Sequence, residues 1–566
     1  MRGTVVDLSS MTPDNTKELN QIAQGLREPY TEFIDSLSIT YGEEPFWWDT
    51  PLVSRNSHIC TCFYDICLLK LALQIIDREQ PRVLVVPGQK HKNAIENNAI
   101  RYIPKIVVAE GFKSRVKRRI LEEYSYFSFK RYITKLQEQD CLTTMQKYRG
   151  RNLTLISSPV IPSEIINESY VSRYYPGLSD YGLADIVFLL HFVSDGLQNH
   201  IKSYISRSIQ NRKDLLFFEQ YADMSAFKEI ENYTRWCRRF QVADCWIDGM
   251  EVGGLVNGAL IDGGQDITAM KGILWGQSIC RLVEQYDLKI QCLIDWYEGQ
   301  PSSNAMIRRF RAKLPDVPTV AYATSPYEEN NLGMYPSRQQ VVQKIVPEYY
   351  GVIGKIWVNQ IRQFSKDVKC VAAPALRHKE MFDKTMETSM KRKGVLLVLP
   401  YFIDAATQLL QAFGEAIHGL DTESIGPIYI KNHPVHQGHR ISDYGVDECF
   451  FQKWDVNYLV GDLYEAMRGK AIIVLSKTTS TLETMLNGAY TINFIPAGDL
   501  SLNALPEEAT VRMSVVYGSE DLHACLQNPK SGLSDEEAIW LRDVAFIPVN
   551  QESVNDFFKL QDICYA

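Results

Sequence analysis

Two familiar phosphate-binding signatures are missing from this chain. It has no G-x-x-x-x-G-K-[ST] loop and no G-x-G-x-x-G after a strand-like run, so a P-loop kinase and a standard dinucleotide dehydrogenase are poorly supported. An Asp-x-Asp pair of the kind that holds a metal–nucleotide is also absent. Long apolar runs are lacking: the most apolar one, LADIVFLLHFV at 183–193, is interrupted by Asp185 and His191. It falls short of the ~20 residues a bilayer crossing needs. The opening MRGTVVDLSSMTPDN has neither an apolar stretch nor a small-residue cleavage site, so the expected location is cytoplasmic. The twelve cysteines are scattered, and only Cys60 and Cys62 stand close together. The set His58, Cys60, Cys62, Cys67 matches no standard zinc spacing, and reduced, buried thiols are expected instead. A net charge of −8 argues against a nucleic-acid binder acting through bulk charge. No internal repeat or low-complexity tract appears.

What is present is an α/β rhythm in a chain too long, at 566 residues, for one core. PRVLVVPGQ (81–89), LKIQCLIDWYEGQP (288–301) and PTVAYATSP (318–326) read as buried strands bounded by turn residues. EVGGLVNGALIDGG (251–264) reads as a tight turn region, and 160–240 as a helical, aromatic insertion. The basic segment MKRKG (390–394) is the candidate linker between a first domain, 1–390, and a second, 391–566. In the second, GVLLVLPY, PIYIKNHP, AIIVLSKTTS and AYTINFIP alternate with helical stretches, predicting a parallel sheet with ligands at the carboxyl ends of its strands. Residues 113–135 carry eight basic residues against two glutamates, interleaved with Tyr and Phe. This is either a solvated helix face or a peripheral contact with anionic membrane lipid.

Two strand ends hold the candidate chemistry. IIVLSKTTSTLETMLNG (472–488) runs from a strand into a helix through Ser476, Thr478, Thr479 and Ser480, hydroxyls placed beside unpaired amides. Glu483, one turn in, is either a ribose ligand or a capping-box glutamate. The second strand end is Lys431-Asn432-His433-Pro434, where Pro434 stops the strand. Lys431 and His433 opposite the hydroxyl run would clamp a phosphate. His433, His436 and His439 do not fall on one helical face, which disfavours a metal site. EPFWWDTPLVSRNSH offers Trp48 and Arg55 as acceptor-side contacts, or else as a buried plug.

K-N-H-P followed about forty residues later by T-T-S-T-L-E-x-x-x-x-G resembles the donor half of GT-B glycosyltransferases. The resemblance is closest to bacterial enzymes using CMP-activated sugar acids: sialyltransferases, polysialyltransferases and Kdo transferases. It implies two Rossmann-like domains facing each other across a cleft, with His433-Pro434 and Thr479-Ser480 on the donor phosphate. The family's acidic motif is matched by D-W-Y-E-G (295–299), which departs from it in lacking two carboxylates before the glycine. Glu298 is then the expected base, Asp295 its reserve, and no metal or other cofactor is required. WWDTPLVSRN, YEGQP and GKIWVNQ also resemble bacterial surface-carbohydrate biosynthesis proteins. The implied partners are a nucleotide sugar and a glycan or glycolipid acceptor of capsule or lipopolysaccharide, and the implied outcome is inversion. Left open are a UDP-sugar enzyme of the same fold, transferase or 2-epimerase, and a catalytically silent scaffold.

Overall fold

The computed structural model describes residues 4–99, 102–110, 148–160, 165–166, 169–170, 172–183, 185–192, 215–383, 392–505 and 507–559. The basic segment 113–135 lies outside them. Its three main sheets are parallel throughout. A small one joins Val5–Asp7, Val83–Val86 and Lys105–Val108. Against it pack the long helix Pro13–Tyr41 and the helix Cys62–Glu79. The long helix starts where Thr12 accepts a hydrogen bond from the Asn15 amide and Pro13 occupies the first turn. It buries Leu19, Ile22, Ala23, Leu26, Tyr30, Phe33, Ile34 and Leu37, a stripe at helical spacing. This unit has its own core, which the expected two-domain plan did not contain.

The seven-stranded sheet runs Lys369–Ala372, Tyr349–Val352, Thr319–Tyr322, Lys289–Trp296, Asn152–Val160, Ile186–Phe192, Leu215–Phe217. In chain order the first strand therefore lies beside the fourth, and the direction of winding reverses between Asn152–Val160 and Lys289–Trp296. The six-stranded sheet repeats the plan with Val456–Leu459, Ile428–Lys431, Val395–Val398, Ile472–Leu475, Tyr490–Phe494, Ser514–Val516, and its winding reverses between Val395–Val398 and Ile472–Leu475. Two such doubly wound sheets make the fold GT-B in type. In each, the crevice outside the carboxyl ends of the strands at the reversal is where a ligand is received.

Three expectations are corrected. In its described residues the segment 160–240 is not a helical insertion: Ile186–Phe192 pairs with Asn152–Val160 from Thr154↔Ile186 to Val160↔Phe192, Leu215–Phe217 extends the sheet, and only then does the helix Met224–Arg239 follow. A strand covered on both faces is a continuous apolar run, which periodicity cannot tell from a buried helix. The glycine-rich stretch forms the helix Gly253–Gly263, whose glycines admit close neighbours: a Cβ at Gly263 would lie 2.9 Å from Pro51. Finally, the terminal helices Asp535–Ala545 and Gln551–Lys559 leave the six-stranded half and share a core with Val352 and Trp357 of the other. The Trp357 indole donates to the Ala545 carbonyl (2.9 Å), and a Cβ at Gly354 would stand 2.1 Å from that oxygen. The chain thus crosses back and ties the halves together, so 391–566 is not one self-contained body. Among the described residues no helix is long and apolar enough to cross a membrane.

Candidate functional site

The carboxyl end of Val395–Val398 lies between the two predicted strand ends, since Val398 pairs with Lys431 on one side and Leu475 on the other. Lys431-His433 and the Ser476–Ser480 run therefore flank the same reversal, two strand spacings or about 9.5 Å apart. Between them project Tyr401 and Phe402, 53% and 43% exposed. The Tyr401 ring meets the His433 ring edge-on at 5.3 Å, and the Lys477 ammonium sits 5.2 Å over the Phe402 ring. The expected clamp is thus bridged by an aromatic pair.

Each flank has a local cause. Buried Asn432 donates to the His439 carbonyl (2.8 Å) and accepts from the Tyr444 hydroxyl (3.1 Å), holding the loop after the strand. Pro434 opens a short 3-10 turn in which His433 Nδ1 accepts from the Val435 amide at 3.3 Å. Burial, then Arg173, His436 and Lys431, push His433 down to about 4. At neutral pH it is an uncharged imidazole with its proton on Nε2, a donor rather than the cation the sequence suggested. Arg173 reaches it from the other half of the molecule. Lys431 is half-buried, and its pKa falls through burial against the pull of Asp462. His436 bonds the Tyr401 carbonyl through Nε2 (2.8 Å). Among the described residues no three His, Cys, Asp or Glu side chains gather to hold a metal ion.

On the other flank, Lys477 adopts the left-handed conformation (φ 44°) and pairs with Asp499 at 2.9 Å. Ser476 is fully buried, its Oγ without a partner among the described residues. Thr478 Oγ1 accepts from the Ser480 amide (3.2 Å), while Thr478, Thr479 and Ser480 remain partly exposed. The helix they lead into, Thr481–Leu486, has only six residues, so hydroxyls and loop amides rather than a long helix dipole furnish this flank. Glu483, read as a ribose ligand or a capping-box glutamate, instead sets its carboxylate 3.1 Å from the His378 ring of the seven-stranded half. Burial opposes its charge, but His378, Arg377 and Ser480 hold the carboxyl below its ordinary value.

The facing reversal supplies carboxyls. Gly299 lies in the left-handed region (φ 65°), and a Cβ there would stand 1.9 Å from the Gly333 carbonyl oxygen, so only glycine lets the chain turn after Glu298. The Glu298 carbonyl accepts from the buried Asn56 amide (2.8 Å), which fixes the turn, and Gln300 donates to its carboxyl (3.4 Å). Burial first, then the charge of Glu328, push Glu298 up to about 7 against the pull of His58 and Arg377. His58 bonds Glu328 at 2.7 Å. Burial lowers its pKa, but Glu328 more than offsets this and raises it. Lys477 of the opposite half also acts on His58, and Arg377 acts on both Glu298 and Glu483, so charges of the two halves influence one another here.

Three predicted residues lie elsewhere. Asp295 is 2% exposed beneath the strand end, close to the Ser157 and Ser303 hydroxyls, and burial pushes it up to about 7 against their pull; it does not front the cleft. Trp48 is buried, donating to the Gly42 carbonyl (2.9 Å). Arg55 is buried as well, spending its guanidinium on Thr31, the Tyr335 carbonyl and Gln340. Neither presents its side chain to an acceptor, because both close the joint between the small unit and the seven-stranded half. Sequence reasoning passed over Arg173, Arg377, Tyr401, Phe402 and Lys477. For all but Arg173 a signal existed: each stands within a few residues of a parallel strand's carboxyl end.

No protein-family model matches the chain, and no curated protein matches it in sequence. Among solved structures it is similar to the UDP-GlcNAc 2-epimerase of Neisseria meningitidis bound to UDP-GlcNAc, at 10% identity and TM-score 0.38, over 72% of this chain and 97% of that one. MurG of Acinetobacter baumannii is similar at 12% identity and TM-score 0.39, over 72% and 99%. The Streptomyces glycosyltransferase SsfS6, complexed with thymidine diphosphate, is similar at 9% and 0.33, over 72% and 99%. At these scores the fold assignment rests on the strand orders above.

Proposed function

We propose that this chain is a glycosyltransferase that takes a nucleotide sugar at the six-stranded reversal and passes the sugar to a glycan hydroxyl presented at the seven-stranded one. The observation that carries the reading is Glu298, a cleft carboxyl pushed up to about 7 and facing a lobe that offers Lys431, Lys477, hydroxyls and loop amides. A base poised near the working pH takes a proton well and releases it readily. In this mechanism Glu298 accepts the proton of the acceptor hydroxyl as its oxygen attacks the anomeric carbon. The bond from that carbon to the donor phosphate breaks on the opposite face, with inversion. Lys431, the Nε2–H of His433, and the hydroxyls of Thr479 and Ser480 meet the charge growing on the leaving phosphate. Tyr401 and Phe402 give the nucleobase of the donor a stacking surface.

The donor we propose is a CMP-linked sugar acid of the Kdo or sialic type, and the acceptor a bacterial surface glycan. Both come from the resemblance of KNHP and TTS to that group. A UDP-sugar enzyme is the second reading; of the similar structures named above, the Neisseria epimerase is described with UDP-GlcNAc and SsfS6 with thymidine diphosphate. Calorimetric titration of the full chain with CMP, UDP and GDP separates the readings. Preference for CMP supports the first, preference for UDP the second, and absence of heat with all three rejects a nucleotide site.

A further inference from the structure

A second cavity, of about 720 Å³, opens where three parts of the molecule meet: the long helix Pro13–Tyr41, the 329–335 and 356–363 segments of the seven-stranded half, and the 501–517 segment of the six-stranded half. That volume is in the range of small-molecule sites. Carboxamides dominate its lining. Among the described residues the only charges there are Arg27 and Glu329, each bound to a carboxamide: Arg27 donates to Gln363 (3.0 Å), and Gln24 donates to Glu329 (3.1 Å).

Three lining side chains carry a carbonyl oxygen with no partner among the described residues, namely Asn330, Gln360 and Asn503. Asn330 and Asn503 are 1% and 7% exposed. The orientation of two amides follows from their other end, because Asn330 Nδ2 donates to the Ser501 carbonyl (2.7 Å) and Gln360 Nε2 to the Leu505 carbonyl (3.3 Å). Each buried acceptor left unpaired costs about 1–3 kcal/mol. Three such acceptors around one cavity, beside a buried Arg27 Nε–H that also has no partner among the described residues, call for a ligand that donates several hydrogen bonds and accepts one. Balanced charge calls for a neutral one, and Tyr517 in the same wall offers an apolar ring face for C–H edges.

We infer that this cavity binds a neutral saccharide. Its occupant touches the loop whose Asp499 holds Lys477, and Asn20 already clasps that loop through the Asp499 carbonyl (2.9 Å) and the Ser501 amide (2.7 Å). Saccharide binding therefore braces the donor flank from behind. The inference stands apart from the donor assignment, since none of the nucleotide-facing side chains lines the cavity.

The test is retention of the full chain on an array of neutral and acidic di- to tetrasaccharides, with Asn503→Leu, Asn359→Trp and His433→Ala alongside. Neutral saccharides should retain the wild type and His433→Ala equally. Asn503→Leu should weaken retention roughly tenfold, the worth of one hydrogen bond to a buried group, and Asn359→Trp, at an exposed rim position, should abolish it. Retention by acidic saccharides alone, loss with His433→Ala, or no retention at all overturns the inference. So does an Asn503→Leu protein that melts higher yet is retained unchanged, the result expected if the cavity is only a packing defect.

Discussion

The two sheet reversals share one strand order and have opposite chemistry. At the six-stranded reversal the strand ends carry lysines, an imidazole and hydroxyls, and burial, helped by neighbouring positive charges, drives His433 down to about 4. At the seven-stranded one they carry carboxyls, and burial drives Glu298 and Asp295 up to about 7. Topology creates a crevice in both, and only the residues just past the strand ends make one a seat for phosphate and the other a seat for a proton.

Replacing the base should break this contrast most. Glu298→Gln is expected to lose 10²–10⁴-fold in transfer, the usual worth of a positioned base, with nucleotide binding unchanged in calorimetry. In the wild type, kcat/KM should rise with pH through about 7 as this carboxyl ionises. Because its folded pKa is raised, its protonated form favours folding, and that contribution fades as pH climbs from the ordinary carboxylate range through about 7. Glu298→Gln should therefore melt higher than wild type at pH 8.

Next, Lys431→Ala is expected to weaken nucleotide binding roughly 10- to 100-fold, the loss of a charged hydrogen bond. On the same flank, nucleotide binding should bring proton uptake. The neighbouring charges that depress His433 are answered by an incoming phosphate, so titrations at pH 6 in buffers of different ionisation enthalpy should give different heats. Affinity should also rise as the pH falls.

A smaller effect is expected at the tie between the halves. Glu483→Gln should cost about 1–3 kcal/mol in urea denaturation by leaving buried His378 without its carboxylate. Since Glu483 is held below its ordinary value, this stabilisation is present above that value and is lost on further acidification. The smallest change belongs to Asp295→Asn: activity retained and stability within about 1 kcal/mol, because the carboxyl is buried among hydroxyls that an amide can also meet.

Much of the fold was readable in the chain. Short apolar runs such as VLLV and IIVL, closed off by Leu-Pro and Ser-Lys, read as buried strands from their length and bounding residues, and the helix stripes followed from spacing. The strand ends KNH and SKTTS were readable for the same reason. The run IVFLLHF was not, since burial on both faces erases the alternation that marks a strand. Nor was the setting of Arg55, a cation in a polar-looking segment whose partners Tyr335 and Gln340 lie far along the chain, although the buried-plug alternative for this segment fits both it and Trp48.

The sequence by itself determined where strands stop and which side chains stand at those stops, because period, proline and glycine act within a few residues. Only tertiary structure decided that Arg173 faces His433, that Glu483 serves His378, and that Arg377 looks toward Glu298. Burial and charge act through space, and the distances that set them exist only once the sheets have packed.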